Sequence, residues 1–251
     1  MVNAIEKAFL VLEKIASSEL AALTPAQIAD ELNFNRATCS RILKQLLDMG
    51  YVVRISRQQG YAAGPKLHTM GRISNYSSQL LKYAVPVVDR CAQELKNSVL
   101  ISQLCNGRRY ILHHRNCDPA LHVSINRPCY DDVFATATGL LLAAYCSKSE
   151  RANCFKIQKL HNGAFMDEFS NEETIHCELD NIRKRGHVEM ERGFQWLYAY
   201  PVKNGNQVNA AIGMSILKSR HTPELHQKIC RTLEAAALEI SHYSEMKLVI
   251  G

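Results

Sequence analysis

Residues 24–64, TPAQIADELNFNRATCSRILKQLLDMGYVVRISRQQGYAAG, leave little freedom in how the first part of the chain folds. Thr24-Pro25-Ala26-Gln27 supplies an N-cap, a proline at the first helical position and a glutamine at the third, which makes a capping box. The helix it opens is brief, with Ile28, Ala29 and Leu32 facing inward. Asn33 and Phe34 turn the chain, and Asn35 is positioned to cap a second helix through its side-chain oxygen. That helix runs to Met49 and stops at Gly50, a residue suited to the position just past a helix end. Tyr51–Ile55 and Gly60–Ala63 then read as two short strands with a basic tip between them. Helix, tight turn, helix and hairpin in this order are the sequence form of a winged helix-turn-helix. Upstream, Ile5, Phe9, Leu12 and Ile15 recur at helical spacing and predict one amphipathic helix before the motif.

The charge sits where the motif sits. Between Asn33 and Arg72 there are seven basic residues and one acid, Asp48, so this stretch alone accounts for the net charge of +6. The rest of the chain is neutral, which is the distribution that attraction to phosphate requires. On the second helix the apolar set is Cys39, Ile42, Leu43, Leu46 and Leu47, while Arg36, Ser40, Arg41 and Lys44 share the opposite face. Most charged helix faces are merely solvated. This one has a single sign through its first two turns, and its helix is the one whose N-terminal residues reach base edges in such motifs. The expected contacts to double-stranded DNA are therefore Asn35, Arg36, Thr38, Ser40, Arg41 and Lys44, with Arg54 and Arg57 on the wing.

Beyond Pro65 the pattern changes. A linking helix is expected over residues 65–83, with Pro86 opening a further helix over Val87, Val88, Cys91 and Leu95. Val99–Cys105 and Tyr110–His114 flank Asn106-Gly107, the strongest short hairpin signal, and Trp196–Val202 and Val208–Leu217 flank Asn204-Gly205 in the same way. Ala135–Cys146 reads as a buried helix, Glu172–Arg185 as an amphipathic one ended by Gly186, and a terminal helix starts at Pro223. Helices and hairpins in this alternation predict an α+β domain built on an antiparallel sheet.

Reactive chemistry is sparse. His113-His114 with Cys117, and His176-Cys177, invite a metal, yet neither has the spacing of a zinc finger, so no metal is expected. Asp131-Asp132 reads as a cap or a solvated turn rather than a catalytic pair. Neither a Walker A sequence nor a G-x-G-x-x-G is present, and no catalytic residue or cofactor is assigned. Nine cysteines, an odd number with no C-x-x-C pair, point to a reduced cytoplasm. The absence of a long apolar run points away from a signal peptide or a membrane span.

The whole layout resembles the IclR family of bacterial transcriptional regulators. GYVVRISRQQGYAAGPKLHTMG is similar to that family's wing and linker entry, FATATGLLLAAY to its core helix, and GFQWLYAYPVKNGNQVNAAIGMSI to its later hairpin. The resemblance implies a winged helix-turn-helix domain over residues 1–64, a linking helix over 65–83, and a GAF-like effector-binding and oligomerisation domain over 84–251. It also implies a small organic effector and assembly as a homodimer or homotetramer. Carried over residue by residue, the pocket would be lined by Ala137, Thr138, Trp196, Leu197, Gly213 and Ser215. Leu140 replaces a common lysine, and Leu197 and Gly213 stand at positions that are more polar in the family, so a less polar pocket is expected. The resulting expectation is a regulator whose operator affinity responds to an effector. The competing reading is an enzymatic or ligand-binding module that uses its winged helix for assembly. Binding to upstream DNA distinguishes the two.

Overall fold

The computed structural model describes residues 3–56, 58–73, 75–118, 125, 127, 129–160 and 172–246. The chain divides into two compact units, one comprising Met1–Ser78 and Asn126–Pro128, the other Gln79–Ile125 and Cys129–Gly251. The division falls within the stretch expected to link them.

In the first unit, α1 (Ala4–Ala16), α2 (Pro25–Leu32) and α3 (Arg36–Asp48) precede an antiparallel pair, β1 (Val52–Ser56) and β2 (Gly60–Ala63). The local signals act as the sequence predicts. Thr24 Oγ1 accepts from Gln27 N while Gln27 Oε1 accepts from Thr24 N, and Asn35 Oδ1 accepts from Ala37 N. Val11, Leu12, Ile15, Ile28, Cys39, Leu43 and Val52 close one small core. The buried face of α1 differs from the expected one. Ala8, Val11, Leu12 and Ile15 face the core at i, i+3, i+4 and i+7, leaving Ile5 and Phe9 on the flank, 70% and 59% exposed.

The wing is tied back to the helices by Leu23, whose N–H and C=O both bond Tyr61 at 2.8 Å. This bridge needs Gly60. Its φ is +93°, and a Cβ there would lie 2.1 Å from the Leu23 carbonyl oxygen.

The second unit is a five-stranded antiparallel sheet in the order β4-β3-β7-β6-β5, formed by β3 (Ser98–Cys105), β4 (Arg108–Asn116), β5 (Val188–Arg192), β6 (Gln195–Asn204) and β7 (Gln207–Leu217). Two helices come before it in the chain, α4 (Pro65–Ile73) and the 21-residue α5 (Asn75–Leu95). Pro86 lies inside α5 rather than opening a new helix. Its missing N–H leaves the Lys82 carbonyl without a helical partner, a defect of about 3 kcal/mol. Ala84, Val87, Val88, Cys91, Ala92 and Leu95 continue one buried stripe across it, and burying each large apolar side chain contributes about 1.5–3 kcal/mol. Packing therefore overrides the local break.

The second hairpin also shifts by one residue. Asn204 pairs with Gln207, so Gly205-Asn206 forms the loop. Positive φ at Gly205 alone, +58°, suits a type II′ turn, which takes glycine at its first central position.

Side-chain alternation gives the sheet two cores. Toward α5 and α9 (Pro223–Met246) lie Val99, Ile101, Tyr198, Tyr200, Ile212, Met214 and Ile216. Toward α6 (Ala137–Tyr145) and α8 (Glu172–Arg185) lie Leu197, Ala199 and Ala211. Every residue of α6 from Ala137 to Ala144 is buried, as a helix apolar on all sides must be. The edge strand β5 and the helix α7 (Lys148–Leu160) were not evident in the sequence, since both are short on apolar residues and rich in charge.

Replacing Gly60 by alanine should destabilise the N-terminal unit by about 1–3 kcal/mol through its disallowed φ and the loss of the Leu23 bridge. Denaturant unfolding followed by circular dichroism reads this, and an unchanged midpoint would contradict the steric account.

Candidate functional site

On α3, Arg36, Ser40, Arg41 and Lys44 are exposed, together with Ala37 and Gln45, while Cys39, Ile42, Leu43 and Leu46 hold the helix to the core. Thr38 is half-buried at the border of this face, and Asn35 serves as the N-cap. Gln45 is a further polar residue on the exposed face. Arg36 lies 3.7 Å from Asp30 in a fully solvated pair, so it is free to exchange partners. Arg54 is exposed on β1, its guanidinium 5.9 Å from the Tyr61 ring, while Arg57 falls outside the described residues. Lys66, one of the seven local cations, donates to Met49 O at 3.1 Å and stacks on Tyr51 at 4.4 Å, closing the C-terminal end of α3. It is a structural cation.

The second unit contains a cavity of about 160 Å³ between the start of α6 and the β3, β6 and β7 strands. Ala137, Thr138, Leu197, Gly213 and Ser215 all line it. Ala137, Thr138, Leu197 and Gly213 are buried at its floor, and Ser215 with Gln195 is exposed at its mouth. Trp196 does not line it. Adjacent residues of a strand face opposite sides of the sheet, so with Leu197 in the cavity wall Trp196 turns to the other core, stacked on His221 at 4.3 Å. Gly213 acts by having no side chain, since a Cβ there would lie 2.6 Å from both Thr138 Cγ2 and Tyr198 O. It lets α6 seat directly on β7.

The polar wall of the cavity was not foreseen. Asn97, Ser98 and Arg109 line it as well. Arg109 is only 4% exposed, and Asp132 holds it bidentately, Oδ1 accepting from Nε at 2.8 Å and Oδ2 from Nη2 at 2.6 Å. Its Nη1 is buried and has no hydrogen-bond partner among the described residues. Asp131 takes the neighbouring Arg108 at 2.8 Å. The two adjacent acids are thus partners of two adjacent arginines, not a solvated turn. The signal was present in the sequence as matching Arg-Arg and Asp-Asp dipeptides, but a separation of more than twenty residues hid the pairing.

The histidine pairs noted in the sequence diverge. His113 Nε2 meets Asp89 Oδ1 at 2.8 Å, His114 Nε2 meets Ser98 Oγ at 2.6 Å, and His176 packs on Phe155. Burial first, and the charge of His113 second, hold the His114 imidazole below its ordinary value, which favours the neutral ring beside Ser98.

The C-terminal sequence model of the bacterial transcriptional regulator IclR matches residues 75–242, most of the chain. The chain belongs to the IclR family of bacterial transcriptional regulators. The MarR family model matches residues 5–60 of this regulator, the region of the winged helix-turn-helix. An IclR-type transcriptional regulator from Alicyclobacillus acidocaldarius is similar in structure at TM-score 0.75 and 20% identity, over 97% of this chain and 99% of that one. An IclR homologue of Microbacterium hydrocarbonoxydans, complexed with 4-hydroxybenzoate, matches at TM-score 0.78 and 17% identity, over 96% and 99%. Thermotoga maritima IclR matches at TM-score 0.67 and 19% identity, over 97% and 99%. At these identities the likeness is one of fold. No curated protein matches the sequence. As an IclR-type regulator, the chain pairs an N-terminal DNA-binding domain with a C-terminal effector-binding domain. None of its described helices is long and apolar enough to cross a membrane.

In this IclR-family regulator the two arginine–aspartate pairs differ in burial, and so should their worth. Asp132→Asn strands the Arg109 guanidinium, whose side chain is only 5% exposed, and should cost about 3–5 kcal/mol. Arg108→Met, at a pair that is 40% and 26% exposed, should cost under about 1 kcal/mol. Equal losses in chemical denaturation would remove the distinction.

Proposed function

We propose that the regulator reads its operator through Arg36, Thr38, Ser40 and Arg41 at the start of α3, with Asn35, Lys44, Arg54 and Arg57 on flanking phosphates. The observation that supports this is the exposed single-signed face of the second helix in the motif, within the Asn33–Arg72 stretch that holds the whole net charge of the chain. One such motif spans few base pairs, so discrimination against genomic DNA calls for two half-sites and hence a homodimer or tetramer. We assign residues 1–64 to DNA binding, 65–83 to the link, and 84–251 to effector binding and assembly. The protein acts as a cytoplasmic regulator rather than as an enzyme.

Arg41→Ala should lose about 1–3 kcal/mol of operator affinity and relax base choice at one position. Lys44→Ala should weaken operator and random DNA alike and flatten the salt dependence. Fluorescence anisotropy with both DNAs separates the two roles, and identical behaviour of the variants would refute the assignment. Sedimentation should report a dimer or tetramer on the operator. A monomer of 28.3 kDa on DNA would exclude the half-site arrangement.

The effector site is the 160 Å³ cavity, a volume close to that of an apolar protein cavity that holds one benzene ring. Arg109, the Ser98 and Ser215 hydroxyls and the first amides of α6 give it a polar wall, which favours a small carboxylate. The Microbacterium relative's 4-hydroxybenzoate belongs to this class of single-ring carboxylates. Leu197→Trp, which fills the cavity, should abolish the response of operator binding to such acids while ligand-free binding persists. Trp196→Phe, on the far face of the sheet, should leave the response intact. The reverse pattern would move the effector site across the sheet.

A further inference from the structure

The sheet face opposite the cavity carries a cluster that neither DNA reading nor effector binding uses. Glu189 on β5 and His226 and Cys230, four residues apart on α9, offer a carboxylate oxygen, an imidazole nitrogen and a sulfur that all lie within 4.8 Å of one another. His226 Nε2 is 3.0 Å from Glu189 Oε1. Cys230 Sγ is 3.6 Å from Glu189 Oε2 and 3.9 Å from His226 Nε2. Zinc bonds of about 2.0–2.3 Å at tetrahedral angles separate such donor atoms by roughly 3.4–3.6 Å. The histidine and cysteine contacts use different oxygens of Glu189, but one ligand atom from each residue lies within 4.8 Å of the others, so small side-chain adjustments would bring all three into that range.

The histidine is already oriented for the task. Its Nδ1 lies 3.1 Å from Tyr198 Oη and 3.2 Å from His221 Nε2, leaving Nε2 to face the carboxylate and the thiol. A ligating imidazole is commonly fixed in this way, by a partner on its second nitrogen. His221 is in turn held by the Trp196 ring stacked on it. His187 Nε2, 3.5 Å from Glu189 Oε2, is a further donor at the rim, and its ring stacks on Tyr200. A hydrogen-bonded His–Glu pair would have no use for the cysteine, because a thiol at these distances is a weak partner. Three different donors converging from one strand and one helix face instead suit a cation.

We propose that Glu189, His226 and Cys230 bind one divalent transition-metal ion, zinc by the ligand set, with the fourth position taken by water or His187. Thiolate and imidazole together select zinc over magnesium or calcium, which take oxygen ligands. Coordination releases the Cys230 proton to solvent and leaves both oxidation states unchanged. The ion would tie α9 to β5, whose Met190 pairs with Leu197 of the effector cavity.

The test uses the full-length chain, stripped with a chelator and titrated with Zn²⁺ by calorimetry and with Co²⁺ by absorption. One equivalent per chain should bind, Co²⁺ should give a sulfur-to-cobalt charge-transfer band, and Trp196, the single tryptophan, should be quenched. Cys230→Ser, nearly isosteric, should remove the band and weaken Zn²⁺ at least tenfold, as should His226→Ala for Zn²⁺. His221→Ala, acting only through His226, should weaken Zn²⁺ by about 10–100-fold without removing the band. Cys177→Ser, at an exposed thiol on α8, should change nothing. Should His226→Ala fail to fold by circular dichroism, Cys230→Ser decides alone. No saturable Zn²⁺ uptake, or a charge-transfer band that survives in Cys230→Ser or disappears in Cys177→Ser, overturns the site.

Discussion

The effector domain depends on the seating of α6 against β7. At that contact a glycine stands where any side chain would collide with Thr138 and with the Tyr198 carbonyl. A helix buried on all sides has no polar face to present to water, so it is stable only with neighbours on every side. Gly213 supplies the closest of these, and the start of the helix then forms part of the floor of a small cavity. Alternation along β6 and β7 does the rest. Leu197 and Ser215 fall on the cavity side, and Trp196, Tyr198 and Ile216 fall on the other. One pair of strands thereby serves as the shared wall of two chemically distinct places.

Much of this was legible in the sequence because it rests on local rules. The capping box at Thr24, the Asn35 cap and the Asn106-Gly107 loop are decided by residues within a few positions of one another, and each forms as read. The resemblance located Ala137, Thr138, Leu197, Gly213 and Ser215, which the fold gathers around one cavity. Errors arose where a non-local term outweighed a local one. Pro86 reads as a helix start, but a buried stripe extends through it. The resemblance implies both Trp196 and Leu197 in the pocket lining, although a strand sends neighbours to opposite faces. The Arg109–Asp132 pair and the cluster of Glu189, His226 and Cys230 join positions far apart in the chain, and a single sequence carries no signal for such meetings.

Charge in the two units follows different rules. The cations of α3 are exposed and nearly unpaired, so their value lies in a summed field that phosphate can neutralise. Arg109 is buried and already neutralised by Asp132, so it adds little field beyond the cavity and acts through directed donors. The first arrangement attracts any nucleic acid at long range. In the proposed effector site, the second would discriminate among small ligands at contact distance. A protein that must search DNA and also recognise a metabolite gains from keeping these two kinds of charge on separate folding units.

The size of the response expected from the proposed effector site follows from the hydrogen bonds its polar wall can make. A hydrogen bond to a charged group contributes about 1.5–3 kcal/mol, so one such bond to an effector carboxylate would contribute that amount. Coupling between sites in regulatory proteins typically amounts to 1–3 kcal/mol, or about 5–150-fold in affinity. One such hydrogen bond is therefore of the right magnitude to set the operator response, provided the bond forms in only one of the regulator's arrangements. An effector satisfied equally well in both would bind tightly and shift nothing. In the proposed reading, the geometry of Arg109 relative to the start of α6, rather than the overall affinity of the cavity, decides whether a bound acid acts as a signal.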